Sequence, residues 1–361
     1  MSFFSVIDKT RARKQLFTAL VELTYRCNLD CYFCYNDLAL TGKALSLEQY
    51  KRFLRDLRDL ETLYLILSGG EPLAHPHFFE IGAYARELGF VVRVKSNGHS
   101  LRGRMAQRLK EEVDPYIVDV SLHGATADTH DRQTQVPGSF ERLLENIDEM
   151  QRRGLRLQIN SALTAWNEHQ IEEMMALTRE RGLSLRIDPE VSPRDDGDKT
   201  PLSIQPSRQA VQRLFRLQAE ARALDTDKAK LDVAREGDEL EFQHLSDAHC
   251  GAGFSSIAVN PYGDVYPCVQ WRRSIGNLHE KSLRRIWRES TELVEIRRQN
   301  VAARDRVKEE GDVGRLVGFC PGAANRDTGN GATLYPAVEH RLELQRQVMA
   351  EGRRVRLPIV Q

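Results

Sequence analysis

Short apolar runs alternate with longer stretches in which apolar residues return every three or four positions. This alternation organises the first half of the chain. Residues 17–23, 63–68, 90–95, 116–124, 155–163 and 184–191 are compact apolar runs and predict strands. Residues 47–60, 78–88, 101–112, 140–153 and 169–181 predict helices, the first opened by Ser46 with an acceptor three residues on. Six strands alternating with helices predict an α/β fold with a parallel sheet and right-handed crossovers. Residues 129–134 read as a loop leading to Pro137-Gly138-Ser139-Phe140, with Ser139 as the cap of the next helix.

After residue 191 the pattern changes. Residues 205–224 predict an amphipathic helix with Val211, Leu214, Leu217 and Ala221 on one face. Residues 225–247 are polar and read as a linker or a loop near the substrate. Two short β runs around Asn260-Pro261-Tyr262-Gly263-Asp264 predict a hairpin, and a helix follows around Leu283, Ile286 and Trp287.

The chain has 361 residues, enough for two or three domains. Lys+Arg and Asp+Glu both number 52, so the net charge of zero gives no support for a nucleic-acid partner. Mixed-sign runs such as Arg194-Asp195-Asp196 read as solvated surface. No apolar run reaches the ~18 residues of a membrane span, and the N-terminus lacks the apolar core of a signal peptide. Six cysteines are too few for a secreted disulfide framework of this length, and reduced thiols suit the cytoplasm.

Three of those cysteines, Cys27, Cys31 and Cys34, stand in a C-x3-C-x2-C pattern directly after the first strand. Thiolates are soft ligands that favour zinc or iron–sulfur centres. A closed zinc site takes four protein ligands, whereas a cubane held by three cysteines keeps one iron free. On spacing alone, a zinc knuckle with a distant fourth ligand stays open.

With Phe33 before the third cysteine, this stretch resembles the C-x3-C-x-Φ-C signature of radical S-adenosylmethionine (radical SAM) enzymes. The resemblance implies a [4Fe-4S] cluster whose open iron chelates S-adenosylmethionine. It also implies reductive cleavage to a 5′-deoxyadenosyl radical, which takes a hydrogen atom from the substrate. The fold implied is a partial (β/α)6 TIM-like barrel with its site at the C-terminal strand ends. Gly69-Gly70-Glu71-Pro72, at the end of the second strand, matches the segment that holds the methionine amino group. An ammonium needs acceptors, and paired glycines let backbone approach a ligand closely. Ser96 and Asn97 would meet the ribose, and Ser121 is a further cofactor contact. His123 stands where relatives often carry an acid. The family's carboxylate-binding arginine position holds Thr134, so that role is not carried over, to Arg132 or otherwise.

Cys250, Cys268 and Cys320 are the remaining thiols. With the hairpin and Gly276-Asn277-Leu278 they resemble the start of a SPASM or twitch extension, a small α+β domain holding auxiliary [4Fe-4S] clusters. The full form has seven cysteines, so at most one auxiliary cluster is expected, with His249, Asp327, water or substrate as a fourth ligand. An extension without metal stays open. The implied domains are a barrel at 1–192, a bridge at 193–248 and the extension at 249–361. Relatives of this build modify ribosomally made peptides or protein side chains, and others mature haem-type cofactors or small metabolites. A non-catalytic metal-binding scaffold is the reading of another class. Implied partners are the substrate, an electron donor such as flavodoxin or ferredoxin, and a separate peptide-recognition protein, since only sixteen residues precede Phe17. No membrane partner is expected. No general acid or base emerges, with Tyr266, His123 and Asp264 standing as candidates.

Overall fold

The computed structural model describes residues 3–224 and 246–355. Six strands alternate with helices in the first half: β1 (Thr18–Glu22), α2 (Leu47–Asp59), β2 (Tyr64–Ser68), α3 (Phe78–Glu87), β3 (Val91–Ser96), α4 (Gly103–Arg108), β4 (Ile117–Ser121), α5 (Ala127–Thr134), α6 (Ser139–Arg152), β5 (Leu157–Ala162), α7 (Ile171–Glu180) and β6 (Leu185–Asp188). An N-terminal helix, α1 (Phe3–Ala12), precedes them. A bridging helix, α8 (Arg208–Leu224), follows, then β7 (Ser256–Val259), β8 (Asp264–Tyr266) and β9 (Gly276–Asn277). Among the described residues five helices follow: α9 (Leu283–Glu289), α10 (Glu292–Lys308), α11 (Gly311–Leu316), α12 (Pro321–Thr328) and α13 (Pro336–Val355).

The first six strands pair in parallel in sequence order, each displaced outward by its crossover helix. Their helix-facing residues, among them Val21, Leu65, Leu67, Val94, Val118, Val120 and Ile159, are buried in one continuous core. Alternate positions face the barrel interior and are polar towards the strand ends. The result is an open (β/α)6 partial barrel whose functional groups collect at one mouth.

The expected hairpin is present as β7 and β8, but it does not form a sheet of its own. β7 pairs in parallel with β1, Thr18 opposite Ser256, so one nine-stranded sheet runs β6-β5-β4-β3-β2-β1-β7-β8-β9. The C-terminal segment therefore covers the barrel edge beside β1, which would otherwise expose unpaired backbone. Asp264 fastens this hairpin, accepting from the side-chain amides of Asn260 and Asn277 at 3.0 and 2.8 Å.

Residues 129–134 are helical, not a loop, because they fall within α5. That helix buries polar groups, Thr129, His130, Gln133 and Thr134, so no apolar period marks it. Nor does Ser139 cap α6. It is the first helical residue, and the cap comes from Asp131, whose carboxylate accepts from the Gly138 and Phe140 amides at 2.6 and 2.8 Å. The predicted linker lies almost wholly outside the described residues. Ahead of α8 the chain makes a single-turn helix at Thr200–Ile204.

Candidate active site

The first cysteine loop leaves β1 and is held from below by α5. The last carbonyls of a helix lack intrahelical partners. Here Thr134 O accepts from the Asp30 amide at 3.1 Å, and Gln133 O from the Tyr32 amide at 3.1 Å. The three thiols come close enough for Cys27 and Cys34 to act electrostatically on Cys31. Burial pushes all three thiols above their ordinary values. Bound iron would reverse that preference, since only thiolates ligate it. Among the described residues no three such side chains close on one point. A cubane would take each thiolate on a different iron, whereas one zinc would draw them onto a single ion.

The glycine turn docks onto this loop through its backbone. Gly70 N–H donates to Thr24 O at 2.7 Å, and Glu71 N–H donates to Arg26 O at 2.9 Å. A Cβ on Gly70 would stand 2.6 and 2.7 Å from the carbonyls of Tyr25 and Arg26. One on Gly69, at φ +137°, would stand 2.3 Å from Thr24 O. Only glycine permits this approach. The Glu71 carboxylate is buried and accepts from Leu73 N–H, Ser96 Oγ–H and Asn97 N–H at 2.9–3.1 Å. It thus ties the end of β2 to the end of β3. Burial raises its pKa to about 7 against those bonds. Asn97 in turn reaches the loop, its amide 2.8 Å from Asn28 Oδ1 and 3.6 Å from Cys27 Sγ. The side chains of Ser96 and Asn97 are committed to these internal bonds.

Phe33, Ser121 and His123 line a cavity of about 700 Å³ at the barrel mouth, together with Cys320 of the C-terminal region. The Phe33 and His123 rings meet edge to face at 4.6 Å. His123 Nδ1 accepts from Ala162 N–H, and burial pulls its pKa down to about 3. A neutral imidazole of such low basicity makes a weak proton acceptor. Arg132 stacks over Trp166 at 4.2 Å, and the Thr134 hydroxyl bonds Ser139.

The second thiol set forms where the hairpin meets α12. Cys268 feels Cys250 and Cys320 electrostatically, and burial first, then these neighbours, pushes it up to about 12. Cys320 caps α12, its sulfur 3.5 Å from Ala323 N–H. A Cβ on Gly322 would stand 2.6 Å from Gln270 O, so α12 packs directly on the Cys268 loop. Of the suggested fourth ligands, His249 Nε2 is taken by Phe319 O at 3.0 Å, and Asp327 pairs with Arg326 at 2.7 Å. Tyr266 lies under the Arg272 guanidinium, 5.3 Å from its ring, and burial pushes its pKa up to about 12.

Sequence reading missed the group joining the two sets. Arg272, four residues after Cys268, pairs with buried Glu22 at the end of β1 and with Asp195 at 2.9 Å. Tyr25 donates to the same Glu22 at 3.1 Å. An acid inside the first apolar run was the available signal.

The family described as the radical SAM superfamily matches residues 21–178, and the iron–sulfur cluster-binding family SPASM matches residues 250–310. A PqqA peptide cyclase of Ruegeria pomeroyi is 30% identical over 278 residues, spanning 75% of this chain and 73% of that protein. The chain is a radical SAM protein. As such its cofactors are S-adenosylmethionine and the [4Fe-4S] cluster that binds it, and its SPASM region adds an auxiliary cluster. An AdoMet-dependent heme synthase of Methanosarcina barkeri is 28% identical over 282 residues, covering 74% of this radical SAM chain and 80% of that protein. Structurally, anSMEcpe with bound AdoMet superposes with a TM-score of 0.69 at 16% identity, covering 96% of each chain. At that identity the likeness supports the fold alone. Among the described residues no helix is long and apolar enough to cross a membrane.

Proposed function

We propose that this radical SAM protein is an enzyme that modifies a ribosomally made peptide or a protein side chain, working in the cytoplasm with a flavodoxin- or ferredoxin-type electron donor. When bound, the cluster and S-adenosylmethionine supply one-electron cleavage of a sulfonium and a carbon radical able to take a hydrogen atom from substrate. Cys27, Cys31 and Cys34 would hold the first cluster. Gly69 and Gly70 carbonyls would receive the methionine ammonium, with Glu71 fixing the turn. Phe33 and Ser121 would shape the wall beside it. Cys250, Cys268 and Cys320 would hold the auxiliary cluster at the far side of the same cavity. The division into 1–192, 193–248 and 249–361 follows this assignment of roles.

One observation carries the reading: the ends of β1, β2 and β3 converge on Cys27 through Gly70, Glu71 and Asn97. A scaffold has no need of such a turn. The haem-type alternative is kept by the heme synthase likeness, and peptide modification is favoured by the closer identity to the peptide cyclase.

Anaerobic reconstitution with iron and sulfide tests it. The expected result is ~8 irons per chain, and 5′-deoxyadenosine after dithionite. Cys320→Ser should halve the iron and keep cofactor binding, whereas Cys34→Ser should abolish nucleoside release. Bound zinc with no nucleoside would overturn the proposal.

A further inference from the structure

The barrel interior carries charge that its own residues do not neutralise. On β3, Arg93 and Lys95 point inward; on β4, Asp119; on β6, Arg186. Asp119 is buried, and Arg93 grips it with two bonds, at 2.5 and 2.6 Å, while Asn160 donates to it at 3.1 Å. That carboxylate is therefore spent. Lys95 makes a longer ion pair with the same carboxylate, at 3.8 Å, so one acid faces two cations. Arg186 pairs with no carboxylate among the described residues, although Asp188 shares its strand face. Both Lys95 and Arg186 line the 700 Å³ cavity, with Ser121 and Asn160 between them. Burial, with Arg93 and Arg186 nearby, pulls the Lys95 pKa down, Asp119 opposing.

The remaining charges of this cavity sit on its outer side. Arg341 there is consumed by Glu190, and Asp188 accepts from the Glu190 amide at 3.0 Å. In the neighbouring cavity of about 960 Å³ the arginines are paired as well: Arg194 with Asp198, Arg272 with Glu22, Arg273 with Glu292 and Arg326 with Asp327. Among the described residues Lys95 thus shares one carboxylate with Arg93, and Arg186 has none, while both line the same cavity.

We infer that Lys95 and Arg186 form a carboxylate-binding floor that selects an acidic side chain or the C-terminal carboxylate of the substrate peptide. This rests on the function proposed above and names its substrate class. A carboxylate there would accept charge-assisted hydrogen bonds from the Lys95 ammonium and the Arg186 guanidinium, balancing the second cation that Asp119 leaves over. Ser121 and Asn160 would add neutral donors. The anchored group would sit at the bottom of the cavity, leaving the adjoining carbon nearer the cofactor.

The test is calorimetric titration of the reconstituted holoenzyme, with S-adenosylmethionine present, by three probes at millimolar concentration. These are acetyl-Ala-Glu-Ala-amide, its neutral isostere acetyl-Ala-Gln-Ala-amide, and acetyl-Ala-Ala-Ala with a free carboxylate. Binding of at least one acidic probe about tenfold tighter than the glutamine probe is expected, the scale of one charge-assisted bond. The two acidic probes tell a side chain from a C-terminus. Lys95→Met and Arg186→Met should each erase the advantage, and Lys95→Arg should retain it. Equal binding of all three probes by the parent enzyme overturns the inference and needs no variant. So does an advantage that survives both methionine variants, or a fall in S-adenosylmethionine affinity in them, which would assign the cations to the cofactor. The titration needs no turnover. A parent enzyme that releases no 5′-deoxyadenosine would sink the radical reading and leave the anion result standing.

Discussion

Glu22 and Arg272 are 250 positions apart and meet in a two-pronged ion pair, each guanidinium nitrogen 2.8 Å from a carboxylate oxygen. Glu22 closes β1 just before the first thiol loop, and Arg272 follows the second. The pair therefore fixes the two thiol sets relative to each other. Removing one partner leaves a buried charge uncompensated, so Arg272→Met should cost about 3–5 kcal/mol. The double variant Glu22→Leu with Arg272→Met should recover part of that, because Glu22 is then no longer buried alone, while Asp195 still lacks its partner. Urea unfolding of the single and double variants measures both. A double variant no better than the single would show that the pair does not act as a unit.

Gly70→Ala should destroy cofactor binding without unfolding the barrel. Its added carbon would strike the backbone carbonyls of Tyr25 and Arg26, which cannot rotate away as a side chain could. The turn must lift off the cysteine loop. Iron content and S-adenosylmethionine affinity should both drop at least tenfold. Gly318→Ala, with nothing within 4 Å of its added carbon, should leave both unchanged.

Acid should destabilise the protein through three buried imidazoles. Burial pulls His99 and His130 down to about 4 and His123 to about 3. In the unfolded chain a histidine titrates near 6.5. Between those values the unfolded state binds more protons, so stability is full above pH ~6.5 and falls as pH drops. With three groups the slope approaches ~4 kcal/mol per pH unit. Urea midpoints from pH 7.5 to 5 measure it, and His99→Leu should remove about a third of the slope. His99 is the suited target because neither ring nitrogen has a partner.

Asp131→Ala should loosen the first cysteine loop from a distance. Asp131 holds the turn between α5 and α6 through Gly138 N–H, Ser139 Oγ–H and Phe140 N–H. Losing a cap of this kind costs about 1–2 kcal/mol. The end of α5 in turn carries the Asp30 and Tyr32 amides. Faster loss of iron to a chelator, at unchanged iron content in fresh preparations, is the expected result. An unchanged rate would mean that α5 is not what steadies the loop.

The sequence by itself determined the alternation of strands and helices, the strand-end position of each motif, and the need for glycine at Gly69 and Gly70. These follow from local rules: apolar period, capping, and the backbone freedom of one residue type. It could not reveal α5, because that helix buries threonine, histidine and glutamine and so shows no apolar stripe. Nor could it reveal that β7 would extend the barrel sheet beside β1, since strand pairing across more than 200 residues leaves no mark in either strand. The tertiary structure alone decided which charges are spent and which are free. Arg93, Lys95 and Arg186 look alike in the sequence, yet Arg93 grips Asp119 through two hydrogen bonds, Lys95 reaches it only at 3.8 Å, and Arg186 has no carboxylate partner among the described residues. Pairing is a matter of strand order and register, and those are settled when the sheet closes.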